Sequence, residues 1–248
     1  MKPKGYWQSV WDEFRKNRLA VAGLAVVCFL LLVALFAPLI AGNRPYVYAV
    51  NGRVYFPVLF DYPELRDVDL RDERRPGFRV FPPIRYSYSE YDLNSIILPP
   101  GGAHILGTDE QGRDMAARMV HGTRVSMMVG FIAVAIYVTL GVIIGALAGF
   151  YGGIVDIAIS RLIEIVMCFP TFFLILTILA LFGQSMVSVM VVIGITGWTG
   201  IARIVRGEFL KLREMDYVVA VRSMGARDWT IIMRHILPNS LAPVLVSA

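Results

Sequence analysis

Few side chains in this sequence are of a type and spacing to do chemistry. His104 and His121 are the first candidates for ligation or proton transfer, but no further ligands stand at metal-binding spacing around either, so both are expected to be interfacial polar residues. Cys28 and Cys168 lie inside apolar runs and read as small core residues, with no disulfide framework or zinc spacing. Asp156, Arg161 and Glu164 interrupt an otherwise apolar stretch. Charges within a bilayer are candidates for function. Arg161 and Glu164 are three residues apart, however, and can pair on one helix face, with Arg161 close enough to a helix start to reach the headgroups. A GxxxxGK[ST] phosphate cradle is absent, and no nucleophile, base and metal set converges anywhere. The sequence is therefore not expected to encode an enzyme, and no cofactor or metal is expected.

The elements that would carry these residues follow from the apolar pattern. Of 248 residues 56% are hydrophobic and 17% charged, against about a quarter charged in an average soluble domain. Three stretches, Leu19 to Gly42, Val125 to Val155 and Ile165 to Ala202, carry no charge. A spanning helix needs roughly 20 apolar residues. The third stretch would be near 57 Å long as one helix, so it is read with the residues before it as two spans, turning at Gly183-Gln184-Ser185. The expected fold is an all-α polytopic membrane protein with four complete spans, 20–41, 126–149, 155–182 and 186–204, and the start of a fifth near Leu241. The first run is too long for the apolar region of a signal peptide and is read as retained.

The net charge of +5 is read as orientation and not as nucleic-acid binding. Lys2, Lys4, Arg15, Lys16 and Arg18 lie before the first span, and Arg203, Arg206, Lys211, Arg213, Arg222, Arg227 and Arg234 lie in the segment 203–239, at and beyond the end of the fourth. Four spans put both groups on one side, assigned to the cytoplasm; Arg113, Arg118 and Arg124, on the assigned outer side, run against that rule. Residues 43–100, rich in Pro, Tyr and Arg, read as a small extracytoplasmic insertion, with "NGRVYFPVLF" giving an Asn-Gly hairpin. After it, Thr108 or Asp109 is expected to cap an amphipathic helix with Met115, Ala116, Met119 and Val120 on one face, lying at the interface before the second span.

Gly141, Gly145 and Gly149 recur every four residues in the second span. They are either a close-packing seam, with a neighbouring span or a second subunit, or the ordinary glycine content of membrane helices. Pro170 is expected to kink the third span.

Residues 217–239, "YVVAVRSMGARDWTIIMRHILPN", form the other unusual stretch. Tyr217, Val218, Val221 and Met224 have helical spacing, and Gly225 follows as a left-handed terminating residue would. Asp228 is expected to cap a second helix carrying Trp229, Ile232, Met233 and Ile236 on one side, and Pro238 to stop it. Such a pair is either an interfacial hairpin on lipid or a knob that docks into the groove of a soluble partner.

"VAVRSMG…HILPN" resembles the EAA loop of ABC-transporter permease subunits, with Ala220, Gly225, Ile236, Leu237 and Pro238 matching and Val219 standing where the family usually has Glu. "LGTDEQGRD", "GTRVSMMVG", "GFYGGIVD", "RLIEIVMCFP" and "GWTGIARIVRGEFLKLREMDYV" are similar to the C-type subunit of the dipeptide, oligopeptide and nickel permeases, over about residues 104–243. The insertion with "YFPVLFDYPE" resembles the Yej branch, linked to oligopeptide and microcin C uptake.

The resemblance implies a permease subunit of an ATP-driven peptide importer in the cell inner membrane. Its implied partners are a second permease subunit, separate ATP-binding subunits, an extracytoplasmic peptide-binding protein and the lipid bilayer. Its implied organisation is a cytoplasmic tail at 1–18, a first span at 19–42, an extracytoplasmic insertion and interfacial helix at 43–125, and a permease core at 126–248 with a coupling loop at 205–239. Ala220, Gly225, Trp229, Leu237 and Pro238 are the residues it implies at or shaping the ATPase contact. The implied five or six spans exceed what 248 residues hold: eight residues past the expected start of the fifth reach about 12 Å of a roughly 30 Å hydrocarbon core, so further pore-lining helices are expected. The alternative, an ion-driven secondary transporter, would need buried acids at mid-membrane and inverted repeats, and neither is visible.

Overall fold

The computed structural model describes residues 11–240 apart from 13, 51, 66, 67, 69, 73–75 and 184. It is mostly helical and divides into two compact units, 1–127 and 128–248. Three helices among the described residues are long and apolar enough to cross a membrane. A fourth candidate is a pair of shorter helices bent by 82°.

In the first unit α1 runs Arg18–Ile40, started by Asn17, whose side chain accepts from the amides of Leu19 and Ala20 at 3.1 and 3.2 Å. A three-stranded antiparallel sheet follows, β1 Val47–Val50, β2 Arg53–Tyr55 and β3 Phe78–Val80, in the order β2-β1-β3. Val50 pairs with Arg53, which makes β1 and β2 the hairpin that the Asn-Gly signal predicts, and Gly52 has φ 70°. The third strand has no turn signal pairing it to β1 and was not expected. Gly77, at φ 128°, lies so close that a Cβ there would sit 2.6 Å from the Ala49 carbonyl.

Residues 92–114 form a loop tied by side chains. Thr108 Oγ1 donates to the Ser95 carbonyl and accepts from the Leu98 amide at 2.8 Å. Asp109 accepts from the amides of Gln111 and Arg113 at 2.9 and 3.0 Å and from the guanidinium groups of Arg113 and Arg118. Burial would raise the Asp109 carboxyl, but these donors outweigh it and hold it well below the usual carboxylate range. Arg113 and Arg118, out of place by the charge rule, thus share one carboxylate.

The histidines also have structural partners. His104 is buried, stacks on Tyr86 with ring centroids 4.3 Å apart, and donates from Nδ1 to Asp114 at 2.9 Å. His121 Nε2 donates to the Ala41 carbonyl at 2.8 Å. Both fasten this unit through these partners. Among the described residues no group of three or more His, Cys, Asp or Glu is arranged to hold a metal ion.

The helix after this loop, α2, runs unbroken over Met115–Tyr151. No proline lies in that range, and the expected interfacial helix and second span are therefore one helix of 37 residues. Its cap is also corrected. Neither Thr108 nor Asp109 serves; Asp114 accepts from the Ala117 amide at 2.7 Å, while its other oxygen holds His104.

The second unit is built on α3 Gly153–Cys168, α4 Thr171–Phe182 and α5 Met186–Leu212. The Pro170 kink is a full break: Phe169 and Pro170 are extended and the helices on either side turn by 82°. Proline removes an amide and its ring crowds the preceding turn, and here the helix restarts after it instead of bending through it. The expected turn at 183–185 is present, with Gly183 at φ 90° ending α4 and Ser185 capping α5 through the Ser188 amide at 3.0 Å. Both α3 and α4 pack on α5.

The glycine seam joins two spans of this chain. A Cβ on Gly141 would meet Ile201 at 2.6 Å, one on Gly145 the Ala202 carbonyl at 2.5 Å, and one on Gly149 Phe209 at 2.5 Å. Only hydrogen at these positions lets α2 and α5 approach so closely. Ile163, Trp198 and Ala202 close the interface with α3.

Candidate docking hairpin and its helical support

Below Leu212 the chain reverses into two short helices, α6 Asp216–Ser223 and α7 Asp228–Ile231. The reversal depends on Gly225, at φ 80°. Its amide donates to the Arg222 carbonyl at 3.0 Å and the next amide, Ala226, reaches back to Val221 at 3.3 Å. These are the paired bonds of a helix ended by a left-handed glycine, as the sequence predicts. Asp228, expected as the cap of the second helix, lies instead in its first turn, where a carboxylate favours the positive helix end; Arg227 holds the cap position and makes no side-chain bond there.

Pro238 does not stop the helix. Residues 232–236 form a π turn, with the Leu237 amide donating to Ile232, and helical residues continue through 240. A proline deletes one amide and needs room near the carbonyl four residues back. The wider π turn immediately before it supplies that room. The fifth span expected near Leu241 lies outside the described residues.

The hairpin has two faces. Val218, Ile231, Ile232 and Ile236 are buried with Ala146, Phe150, Val205, Phe209 and Leu212 in one core. Ile232 and Ile236 therefore belong to the support, although their spacing had grouped them with Trp229 as partner-facing anchors. The opposite face is open: Trp229 is 70% and Met224 78% exposed, and Ala220, Gly225 and Pro238 are exposed as well. Leu237 is half-buried and lines, with Trp229 and Met233, an apolar groove of about 480 Å³ against Val138, Val142 and Tyr151 of α2.

Several supporting residues escaped the sequence reading. Arg206 of α5 holds Asp156 of α3 with two hydrogen bonds, the Nη2 one at 2.8 Å. Arg213 donates to the Gly149 carbonyl at 3.2 Å, in the last turn of α2. Arg222 of the hairpin lies 5.2 Å over the Phe150 ring. Arg161 and Glu164 pair with each other and are mostly exposed, as their spacing predicts.

Residues 141–248, which include the seam and the hairpin, match the family described as the binding-protein-dependent transport system inner membrane component. Residues 5–60 match the N-terminal transmembrane domain of oligopeptide transport permease C. The chain is 31% identical to the peptidoglycan transport system permease protein YejE of Agrobacterium fabrum, over 99% of this chain and 76% of that protein. The chain belongs to this family of inner-membrane permease components.

The inner membrane ABC transporter permease protein YejE of Escherichia coli is 32% identical over 96% of this chain and 74% of its own length. The dipeptide transport system permease protein DppC of Alkalihalophilus pseudofirmus is 31% identical, and this chain spans 66% of it. The relatives are permease subunits and not enzymes, and they give the ion-driven alternative no support.

Proposed function

We propose that this chain is a permease subunit of an ATP-driven importer of peptides, forming part of the translocation path and taking its energy from a separate ATPase that grips the 217–238 hairpin. The names of the relatives, peptidoglycan, dipeptide and oligopeptide transport permeases, supply the substrate class. A peptide-binding protein delivers the solute on the outer side and a second permease subunit completes the path. The N-terminal tail, 1–18, lies in the cytoplasm, the bent α3–α4 pair counts as one of four complete spans, 43–125 is the outer insertion, and 126–248 is the core, with 205–239 as its coupling loop.

The observation that carries this reading is the two-faced hairpin. Its isoleucines are locked into the helical core while Ala220, Gly225, Trp229 and Pro238 stay exposed, with Leu237 at the edge. A partner pushing on the open face moves the core as a rigid body. Gly225→Asp tests it. No atom lies within 4 Å of the added Cβ, and although φ 80° strains any side chain, Asp tolerates the left-handed conformation better than most, so the strain is expected to stay at the turn while a carboxylate enters the docking face. Uptake of a labelled oligopeptide pool by the assembled transporter is expected to fall about tenfold or more with membrane insertion unchanged. Full uptake by that variant contradicts the assignment.

A further inference from the structure

Among the described residues no hydrogen bond or ion pair joins the hairpin to α3, the first half of the bent pair, so the open question is how a push on it reaches that helix. Arg206 of α5 and Arg213, the residue that caps its end in helical conformation, are seven residues apart and thus on one side of the helix. Arg206 grips Asp156 in the first turn of α3 from two nitrogens, Nε and Nη2. Arg213, just past the end of α5, donates to the Gly149 carbonyl near the end of α2. Between these two anchors the backbone turns through Gly152 and Gly153, at φ 66° and 53°. A Cβ on Gly152 would lie 2.4 Å from the Arg213 guanidinium.

The helix ends suit these charges, since a carboxylate favours a helix start and a cation a helix end. Both ends of the α2–α3 corner are therefore pinned to one face of α5. The same stretch of α5 shares its core residues, Val205, Phe209 and Leu212, with Val218, Ile231, Ile232 and Ile236 of the hairpin.

We propose that the Arg206–Asp156 and Arg213–Gly149 contacts are the clasp that transmits hairpin movement to α3, making Asp156 and Arg206 positioning residues for energy coupling. Apolar packing between hairpin and α5 carries a push along the shared core, but packed surfaces can slide. A two-pronged ion pair with 16% and 30% of its side chains exposed fixes direction as well as distance. Arg161 and Glu164, at 71% and 59% exposed, both lie on α3 and, among the described residues, pair only with each other, so they make a matched control.

The inference rests on the hairpin being the motor contact, and the experiment separates the two. The full transporter, with its ATPase and second permease, is placed in proteoliposomes, and uptake of a labelled oligopeptide pool is measured per ATP hydrolysed. The double variant Asp156→Asn with Arg206→Gln leaves no unpaired charge behind. It is expected to keep yield and ATP hydrolysis within about twofold while uptake per ATP falls about fivefold or more.

Arg206→Lys keeps the charge, loses the fork, and is expected to fall about two- to threefold in the same ratio. Arg161→Gln with Glu164→Gln is expected to leave it unchanged. A wild-type ratio in both Arg206 variants overturns the clasp, as does loss of yield and hydrolysis with the ratio intact. If Gly225→Asp also keeps the ratio, the motor assignment itself has failed; if Gly225→Asp alone lowers it, only the clasp has.

Discussion

Between Ala41 and His121 the chain is fastened by side chains bonding to backbone and to one another; between Val138 and Ser240 it is fastened chiefly by close packing of helices. In the first region Thr108, Asp109, Asp114, His104 and His121 each bind a named amide, carbonyl or carboxylate, and the aliphatic residues Leu93, Ile97 and Ile105 remain exposed. In the second, Gly141, Gly145 and Gly149 let α2 lie against α5, and Phe209, Val205 and Ile231 are fully enclosed. Polar fastenings are local and fail one at a time. A packed seam is shared by every element that crosses it, and the Arg206–Asp156 pair within it fixes the direction in which a displacement is passed on. That difference suits the second region to carry force.

Substitutions can break or sharpen the contrast. The largest effect is expected from Phe209→Ala, which empties a fully buried ring site at the meeting of α2, α5 and the hairpin. A loss of about 3–5 kcal/mol is expected, read as a fall in the melting transition of the purified protein in detergent and as faster proteolysis within 200–240.

Gly145→Leu follows, since its side chain would have to displace the Ala202 backbone, at about 1–3 kcal/mol and with α2 and α5 loosened together. His104→Ala should cost about 1–3 kcal/mol by leaving the buried Asp114 without one partner, and the change in hydrogen exchange should stay within residues 86–118. Spread of that change into α5 would erase the distinction between the regions.

Smaller still is a pH effect. The Asp109 carboxyl is lowered from its ordinary value of 3.8, so the stabilisation it gives is complete above that value and is lost as pH falls through the lower, folded one. Amide protection of residues 109–113 should therefore be flat from neutral pH to about 5 and decline only in stronger acid, and Asp109→Asn should abolish the decline. Val54→Lys, on an exposed edge-strand position, is expected to change stability by less than about 0.5 kcal/mol.

What could be read beforehand divides along the same line. Features set by residues close in sequence were legible: the Asn-Gly turn, the Ser185 start, the Gly225 reversal and the Arg161–Glu164 pair all depend on neighbours within four positions. Features set by distant residues were not. Asp156 shows its charge but gives no hint that Arg206, fifty positions on, is its partner. Helical spacing grouped Ile232 and Ile236 with Trp229, but the two isoleucines are buried in the core while Trp229 is exposed, and the π turn over 232–236 departs from the α spacing on which the grouping rests. Proline shows that a regular helix is disturbed without showing how: Pro170 breaks one outright, while Pro238 is absorbed by a widened turn. The glycine seam was visible as a pattern, but only its contacts name α5 as the surface against it.

The open face of the hairpin is proposed to meet an ATPase, and Trp229 is the most exposed aromatic residue of that face. The most direct measurement is a photo-crosslinking residue in place of Trp229 in the intact transporter, in native membranes, with and without a non-hydrolysable ATP analogue. A crosslink to the ATP-binding subunit, changing in yield with nucleotide, is the predicted result. Crosslinks to lipid or to this chain alone, indifferent to nucleotide, would contradict it.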